Sequence, residues 1–535
     1  MPHQGTPAWQ NANALALGPT GNGSYNGLGI FSGTAQPVNF NGSQDGTLLA
    51  FYTSVSYLPT GWSQPYIPGT ESQSMAYSKD GGMTWQEYAG NPIITSPPIG
   101  WNITGWRDPF FEPWPEMDDV LEQDEPHYYT VFGSGIKGVG PRMPLYSAPA
   151  SDLTKWTFLG ALWEPADNTS FGSVLATGTW GFNFEVSGFF SLDDDDGNPH
   201  YFAQMGTEGG NVSFHESAHW ALYNEGKVSK RANGSVAFEP VSGGAGDWGL
   251  LYALTSFVDT KNDDRRVQWG WAPEDIPGTF ALNQQGYQGC FALPRELFAH
   301  VTKGLVDTDG KLNSSGAYVT KAADGTFTAS VLGIRPLDDV VEGIRNGSSC
   351  SSYDDVVYTS TTILEANASS HMELGASISA PTGQVGLIIA ASPDAQEYTT
   401  IYYEPANNTI VVDRSSSTTI ANFTTDPVTG FFLPYTTAKG TENINMRVFL
   451  DGSLLEVYVN DRFALTTRIY PSREDSTGFG VFAGRGASAM VKNVEAWIGT
   501  KNVWPERPLN SSSVLVYDTA AQTNNYTVSF SLLRC

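Results

Sequence analysis

The stretch His127-Tyr128-Tyr129-Thr130-Val131-Phe132 is typical of a short β-strand, because aromatic and β-branched side chains fill almost every position. Leu48-Leu49-Ala50-Phe51-Tyr52 and His200-Tyr201-Phe202-Ala203 have the same character, and segments containing Gly, Pro and Asn separate them. Many short strands divided by turns predict an all-β fold for residues 1–335, and a propeller or a sandwich is the natural class.

A short amphipathic helix is predicted after this half. The apolar residues with the helical spacing i, i+3, i+4, i+7 are Leu337, Val340, Val341 and Ile344. Pro336 precedes them and Asn346-Gly347 follows, and both are ordinary signals of a helix boundary. A polar stretch over residues 347–354 comes next, so residues 336–355 are predicted to be a helical linker.

The strands beyond the linker are longer and more regular. Residues 445–450, the turn Asp451-Gly452 and residues 454–459 give a strong hairpin signal. Residues 356–507 are therefore predicted to be a β-sandwich domain. Residues 508–535 look less regular and are predicted to be a C-terminal tail.

The charge of the chain excludes some classes of partner. The formal net charge of the 535 residues is −27. Binding to phosphate groups needs clustered Lys and Arg side chains, so neither a nucleic acid nor an anionic membrane is the expected partner. No apolar run is long enough to span a bilayer.

The sequence has features of a secreted glycoprotein. Asn-x-Ser/Thr sequons begin at Asn22, Asn41, Asn102, Asn168, Asn211, Asn233, Asn313, Asn346, Asn367, Asn407, Asn422, Asn510 and Asn525. This density predicts glycosylation, although such triplets also arise by chance in Asn- and Ser-rich loops. Residues 1–30 contain no signal-peptide pattern, so we expect a secreted protein whose N-terminal segment is incomplete in this sequence. The three cysteines, Cys290, Cys350 and Cys535, allow at most one intramolecular disulfide.

Two carboxylates have surroundings that suit catalysis. Asp108 lies in Trp106-Arg107-Asp108-Pro109-Phe110, where the adjacent Arg107 is expected to hold a buried carboxylate ionised and ready to accept hydrogen bonds from sugar hydroxyls. Glu185 ends Trp180-Gly181-Phe182-Asn183-Phe184-Glu185, whose apolar side chains favour the protonated form that a general acid needs. Each motif alone also has an ordinary interpretation, because surface Arg–Asp pairs and solvated Glu residues are common.

A third motif, Phe31-Ser32-Gly33-Thr34, completes an ordered set that resembles glycoside hydrolase family 32, the invertases, inulinases and fructosyltransferases. Trp106-Arg107-Asp108-Pro109 is similar to the family's Arg-Asp-Pro motif, Asn183-Phe184-Glu185 to its acid/base motif, and Phe31-Ser32-Gly33 to its substrate motif. The resemblance covers roughly residues 12–507 and is strongest to the fungal, fructosyltransferase-like branch. Further similar segments are 52–54, 73–78, 205–208, 247–249 with 252–253, 269–271, 293–297 and 456–460.

The resemblance implies a five-bladed β-propeller over residues 1–335, incomplete in its first blade, followed by a C-terminal β-sandwich. It implies that Glu185 is the acid/base, that Asp108 stabilises the transition state, and that Arg107 orients Asp108. It also implies substrate contacts from Phe31, Ser32, Thr60, Trp62 and Glu208. The implied activity is retaining hydrolysis or fructosyl transfer on sucrose or short fructans, with a small carbohydrate as the ligand and no cofactor.

The family's nucleophilic Asp has no counterpart in this sequence. In the family it precedes the Phe-Ser-Gly motif, whereas the first acidic residue of this chain is Asp45, downstream of Ser32. Without a nucleophile the double displacement cannot form its glycosyl-enzyme intermediate. We expect a truncated sequence first, a natural sugar-binding remnant second, and a site that uses another Asp last.

Two rival functions remain open. A non-catalytic carbohydrate-binding protein would still hold a sugar through Arg107, Asp108 and aromatic side chains. The second rival is a sialidase-like propeller enzyme, because an Asp-box, the turn repeated in sialidases, matches Ser78-Lys79-Asp80-Gly81-Gly82-Met83-Thr84-Trp85. A cluster of arginines around the propeller axis would support this second function.

No metal site is predicted. Asp193-Asp194-Asp195-Asp196-Gly197 resembles a calcium loop only superficially, because Gln204 stands where the loop needs Glu, and a solvated hairpin turn is expected instead. His215 and His219 lie near the position of an acceptor-site His in fungal relatives, and neither is assigned a role.

Overall fold

The computed structural model describes residues 16–21, 23–275, 289–307 and 309–501. The predicted all-β fold is confirmed: a β-propeller occupies the N-terminal half and a β-sandwich the C-terminal half. The predicted tail, residues 508–535, lies outside the described ranges. Among the described residues, no helix has the length and apolar character that a membrane-spanning helix needs.

The propeller half is built from short antiparallel strands. These are β1 (Gly29–Gln36), β2 (Leu48–Val55), β3 (Glu71–Ser78), β4 (Gln86–Glu87), β5 (Ile103–Pro113), β6 (His127–Ile136), β7 (Gly140–Pro149), β8 (Thr157–Trp163), β9 (Asn183–Asp193), β10 (Pro199–Glu208), β11 (Trp220–Lys230), β12 (Val236–Pro240), β13 (Gly244–Asp247), β14 (Tyr252–Asp259), β15 (Arg265–Ala272), β16 (Cys290–Phe291), β17 (Arg295–Leu305), β18 (Tyr318–Lys321) and β19 (Phe327–Pro336). The short helices between them are α1 (Pro115–Leu121) and α2 (Val174–Thr177), with 3₁₀ turns at Val212–Phe214 and Leu312–Ser314.

These strands form four successive antiparallel sheets in the described part of the propeller. Their strand orders are β1-β2-β3-β4, β5-β6-β7-β8, β9-β10-β11-β12 with β13 beside β11, and β14-β15-β17-β19-β18 with smaller additions. Strand β5 packs on β1, β9 on β5 and β14 on β9, so the first strands of the four sheets lie side by side around one axis. The sheet that carries Phe31 and Ser32 has all four strands, and no fifth propeller sheet occurs among the described residues.

Each of the four innermost strands contains a β-bulge. The pairing register shifts between Ile30 and Gly33, Arg107 and Phe110, Glu185 and Gly188, and Tyr252 and Thr255. Three bulges hold a non-glycine residue at positive φ, namely Asp108 at 62°, Val186 at 44° and Ala253 at 53°. A bulge turns side chains out of the regular alternation of a strand, so these positions can project groups toward the axis.

The predicted linker helix is confirmed as α3 (Asp338–Arg345). Val341 is buried against the apolar cluster between the two halves, and Ile344 packs on the same cluster. The polar stretch after the helix is in part a strand, β20 (Ser349–Tyr353), which pairs with the last strand of the sandwich. Its polar side chains suit this position because β20 is an edge strand with one exposed face.

The sandwich consists of two antiparallel sheets. Its further strands are β21 (Val356–Tyr358), β22 (Thr362–Glu365), β23 (His371–Ser379), β24 (Val385–Ala391), β25 (Thr399–Glu404), β26 (Thr409–Asp413), β27 (Val428–Phe431), β30 (Ile444–Asp451), β31 (Leu454–Val459), β32 (Phe463–Arg468), β33 (Gly478–Ala483) and β34 (Ala489–Ile498). The short strands β28 (Thr436–Thr437) and β29 (Gly440–Thr441) lie between β27 and β30 in the chain but join the propeller sheet through the pairing of β28 with β17. The sheet orders are β20-β34-β23-β30-β31-β32, with β21 beside β34, and β22-β33-β24-β25-β26-β27. The predicted hairpin is confirmed by the antiparallel pair β30 and β31.

The two halves share a tight backbone contact. Trp248 N–H donates to Ala464 O at 2.9 Å and Leu250 N–H donates to Thr466 O at 2.8 Å. Between them, a Cβ on Gly249 would lie 1.8 Å from Thr466 O. Only glycine therefore allows β32 to approach the propeller this closely.

We expect Gly249→Ala to destabilise the protein by about 2–4 kcal/mol, because the added methyl must displace backbone rather than a flexible side chain. Gly343→Ala is the matched control, since a Cβ there meets nothing within 4 Å on an exposed helix. The control should be neutral or stabilise by up to ~1 kcal/mol. Thermal unfolding midpoints measure both, and equal midpoints for the two variants would contradict the close contact.

Candidate active site

The guanidinium of Arg107 lies between three carboxylates at the propeller axis. Its Nε donates to Glu185 Oε1 at 3.0 Å and its Nη1 to Glu71 Oε1 at 2.5 Å. Its Nη2 is 3.9 Å from Glu208 Oε2. The structure therefore brings together Arg107, Glu185 and Glu208, which the sequence singled out, and adds Glu71.

The bulge in β5 places Asp108 beside this cluster. Val186 N–H donates to Asp108 Oδ2 at 3.1 Å, which joins the bulge of β5 to the bulge of β9. The backbone N–H of Asp108 donates to Thr53 Oγ1 at 2.9 Å. Left-handed backbone at a non-glycine residue costs of order 1–3 kcal/mol, so these hydrogen bonds hold Asp108 in a conformation it would not adopt alone.

Further polar contacts from strands β2 and β3 support the bulge of β5. Thr53 Oγ1 also donates to Gln73 Oε1 at 2.8 Å, and Gln73 Nε2 donates to Trp106 O at 2.9 Å. Glu71 Oε2 accepts from Trp106 N–H at 2.7 Å. Strands β2 and β3 of the first sheet thus fix the backbone on which Arg107 and Asp108 stand.

Burial dominates the electrostatics of these carboxyl groups. It raises the pKa of Asp108 to about 7, helped by the charge of Glu185 and opposed by Arg107. It raises the pKa of Glu208 to about 8, again with Glu185 adding to the effect and Arg107 opposing it. The prediction that Arg107 holds Asp108 ionised is wrong in direction, because desolvation and the neighbouring negative charge together outweigh one shared cation.

Tyr252 and His219 complete the side of the site around Glu185 and Glu208. Tyr252 Oη donates to Glu185 Oε2 at 3.1 Å. Asn183 Nδ2 donates to Glu208 Oε2 at 2.7 Å, while His219 Nε2 lies 4.0 Å from Glu208 Oε1. The rings of His219 and Tyr252 meet edge to face, with centroids 5.2 Å apart. We call Arg107, Asp108, Glu185, Glu208 and Tyr252 the axial site.

The remaining predicted substrate residues lie around this site at different distances. The Trp62 ring stacks on Phe182 with centroids 5.1 Å apart, close to Gly209, which follows Glu208. Thr60 Oγ1 is 3.4 Å from Glu71 Oε1. Phe31 and Ser32 lie in the bulge of β1, and Ser32 is exposed there and makes no hydrogen bond to the described carboxylates of the axial site.

Sequence reasoning missed Glu71 and gave no role to Tyr252. Glu71 is fully buried, although a carboxylate at the start of a strand usually faces solvent. One signal was available: Glu71 and Gln73 alternate along one strand, so both side chains face the same neighbouring sheet.

The structure distinguishes the two histidines near the site. His215 is buried, its ring stacks on Trp220 with centroids 4.2 Å apart, and desolvation lowers its pKa to about 4. His219 is instead about half exposed beside Glu208, with 48% of its side chain accessible. Of the two, His219 is therefore the one that faces the axial site.

The weaker sequence motifs are turns. The Asp-box is the hairpin between β3 and β4, in which Asp80 accepts from Thr84 N–H at 2.9 Å. Arg107 is the one arginine that pairs with the carboxylates of the axial site in the described ranges, so the arginine cluster of a sialidase is not found there. Asp194, Asp195 and Asp196 lie in the turn between β9 and β10, as predicted, while Asp193 ends β9, and Asp194 accepts from Asn198 N–H at 2.8 Å. No group of three or more potential metal ligands occurs in the described part of the chain.

The described part of the chain thus combines four propeller sheets, buried carboxylates at their axis and a β-sandwich. The family model "Glycosyl hydrolases family 32 N-terminal domain" matches residues 7–310, and "Glycosyl hydrolases family 32 C terminal" matches residues 340–498. The chain belongs to glycosyl hydrolase family 32, and it spans less than two thirds of the length of the levanase and fructan exohydrolases that it matches.

Known relatives span both bacteria and eukaryotes. The chain is 26% identical over 509 residues to the levanase of Bacillus subtilis, covering 90% of this chain and 62% of the levanase, which is a much longer protein. It is 24% identical over 485 residues to the acid beta-fructofuranosidase of Vicia faba, covering 84% of this chain and 66% of that protein. Among solved structures, the fructosyltransferase from A. japonicus superposes with a TM-score of 0.83 at 28% identity, covering 92% of this chain and 87% of that one. The Aspergillus kawachii beta-fructofuranosidase also has a TM-score of 0.83, at 29% identity, with 93% and 87% covered.

The raised pKa of Glu208 predicts a pH dependence of stability. The folded protein holds this proton up to about pH 8, whereas an unfolded Glu loses it near its ordinary pKa of 4.5. Between these values the folded state binds one more proton, so the free energy of unfolding falls by about 1.4 kcal/mol per pH unit as the pH rises.

We therefore expect Glu208→Gln to flatten the decline of the unfolding free energy between about pH 5 and 8, as measured by urea denaturation. Asp124→Asn is the control, because Asp124 is exposed and belongs to no part of the site. An unchanged slope in Glu208→Gln would show that the carboxyl group titrates normally.

Proposed function

We propose that the axial site binds the fructosyl unit of β-fructosides such as sucrose and short fructans. The observation that carries the proposal is the buried Arg107 guanidinium flanked by Glu185 and Glu208, with Asp108 held beside them. Together these groups offer hydrogen-bond donors and acceptors in a largely buried site, which suits a ligand rich in hydroxyl groups. The relatives named for levan, fructan and β-fructofuranoside chemistry support the same ligand class.

In the proposed reaction Glu185 is the acid/base. Its carboxyl O–H donates a proton to the glycosidic oxygen as the bond to fructose breaks, and its carboxylate later takes a proton from water or from an acceptor sugar. Asp108 accepts hydrogen bonds from the fructosyl hydroxyls and stabilises positive charge on the ring. Arg107 and Tyr252 hold Glu185 in place through both of its carboxylate oxygens.

A retaining mechanism also needs a nucleophilic carboxylate on the opposite side of the sugar. In the described residues, the carboxylates that contact Arg107 are Glu71, Glu185 and Glu208, and Glu71 is occupied by Arg107 and by the backbone of Trp106. Glu185 is assigned the acid/base role and Glu208 accepts a hydrogen bond from Asn183, so none of the three is assigned the role of nucleophile. We therefore propose that this chain binds β-fructosides without turning them over, and that the reaction assigned to Glu185 proceeds only where a nucleophilic carboxylate is supplied.

Calorimetric titration and a fructose-release assay test the proposal together. We expect wild type and Glu185→Gln to bind sucrose with comparable affinity and to release no fructose. At pH 8, above the raised pKa of Asp108 of about 7, Asp108→Asn should weaken sucrose binding at least about tenfold, because it removes a charged acceptor. Asp124→Asn, at an exposed position away from the site, is the matched control and should bind as wild type does.

Two results would overturn parts of this account. Fructose release that Glu185→Gln abolishes would show that another carboxylate acts as nucleophile. Absence of sucrose binding by the wild-type chain, under conditions where it is folded, would reject the β-fructoside site itself.

A further inference from the structure

The wall of the axial site beside Glu208 is one loop, residues 209–219, which we call the rim loop. It joins β10 to β11, so it starts directly after Glu208 and ends with His219. On the propeller side it is held by Asn211 N–H, which donates to Thr179 Oγ1 at 2.9 Å, and by Trp220 Nε1, which donates to Asn211 O at 3.1 Å.

The other anchor of the rim loop comes from the sandwich domain. Arg414 Nη2 donates to Glu216 Oε1 at 2.7 Å, and Thr467 Oγ1 donates to the same oxygen at 3.2 Å. Only 1% of the Arg414 side chain and 7% of the Glu216 side chain are exposed. Such a desolvated ion pair has a defined geometry, because water does not compete for its hydrogen bonds.

Arg414 is itself held rigidly, so it can act as a fixed point. Its Nη1 donates to Asp275 Oδ2 at 2.6 Å and to Arg468 O at 2.8 Å, and its Nε donates to Asp426 O at 2.9 Å. The guanidinium therefore keeps its position in the interface through contacts that do not involve the rim loop. Glu216 is the single rim-loop residue with which it pairs among the described residues.

The anchored residue is close to the axial site along the chain. His219 follows Glu216 by three positions and lies against Tyr252, whose hydroxyl donates to Glu185. His219 is also far more exposed than Glu208 beneath it, at 48% against 11% of the side chain. A disaccharide with one ring among the buried carboxylates would therefore rest its second ring against the rim loop.

We propose that Arg414 of the sandwich domain is a positioning residue for the axial site: through Glu216 it fixes the rim loop, and thereby the surface that meets the second sugar unit. The inference rests on the proposed β-fructoside function. It gives the sandwich a part in ligand selection, since the loop that contacts the second sugar is held by a side chain of the other domain.

The test compares two carboxylates that share the same arginine. Glu216→Ala removes the contact with the rim loop but leaves Arg414 paired with Asp275. Asp275→Ala is the matched control, because it removes the other partner of Arg414 and leaves the rim-loop contact in place. We expect hydrogen–deuterium exchange in residues 209–220 to be at least about fivefold faster in Glu216→Ala and unchanged in Asp275→Ala. Glu216→Gln, which keeps a hydrogen-bond acceptor, should show an intermediate rate.

Ligand affinity gives the second readout, by titration with sucrose and with fructose. Glu216→Ala should weaken the affinity for sucrose at least about tenfold and change the affinity for fructose less than about threefold. Asp275→Ala should change neither affinity. Suppose that the two variants have the same hydrogen–deuterium exchange rates in the rim loop and the same ratio of sucrose affinity to fructose affinity. That result would overturn the inference about Arg414 without contradicting the proposed β-fructoside site. If the wild type binds neither sugar, the proposed function fails, and the exchange rates alone then decide whether Arg414 holds the loop.

Discussion

The structure depends on one buried cation that ties three sheets together. Arg107 projects from the second propeller sheet, Glu71 comes from the first, and Glu185 and Glu208 come from the third. A buried charge pair that loses one partner costs about 3–5 kcal/mol, so each of these sheets is constrained to keep its place around the guanidinium. One positive charge does not offset the burial of all the surrounding carboxyl groups, so the pKa values of Asp108 and Glu208 stay well above the ordinary range.

The bulges of the innermost strands explain how side chains leave the regular alternation of a strand and reach the propeller axis. Asp108, Val186 and Ala253 adopt left-handed backbone at corresponding places in three sheets, beside the groups that form the axial site. Such strain persists only where the surroundings fix it, and here hydrogen bonds from Asp108 to Thr53 and from Val186 to Asp108 do so. The propeller thus provides a set of similar antiparallel sheets, and the bulges in their innermost strands place the side chains of the axial site.

Sequence reasoning reached the features that short motifs and periodicity encode. The hairpin β30–β31 and the helix α3 followed from turn residues and apolar spacing, and Arg107, Asp108 and Glu185 followed from their motifs. It missed features that depend on distant partners. Glu71 looked like an ordinary strand-end carboxylate, and the pairing of Glu216 with Arg414 spans 198 positions of the chain. Burial of Asp108 was expected from the sequence, but the motif did not reveal that desolvation and the charge of Glu185 together raise its pKa more than Arg107 lowers it.

The most direct test of the central claim is a carboxyl-carbon NMR titration of Asp108 and Glu208 in wild type, Arg107→Lys and Arg107→Met. The shared-cation account predicts that both pKa values rise further in Arg107→Met, since the guanidinium lowers each of them, and that Arg107→Lys stays nearer to wild type. Titration midpoints that are the same in all three folded proteins would contradict the account, because they would show that Arg107 does not set the charge of the axial site.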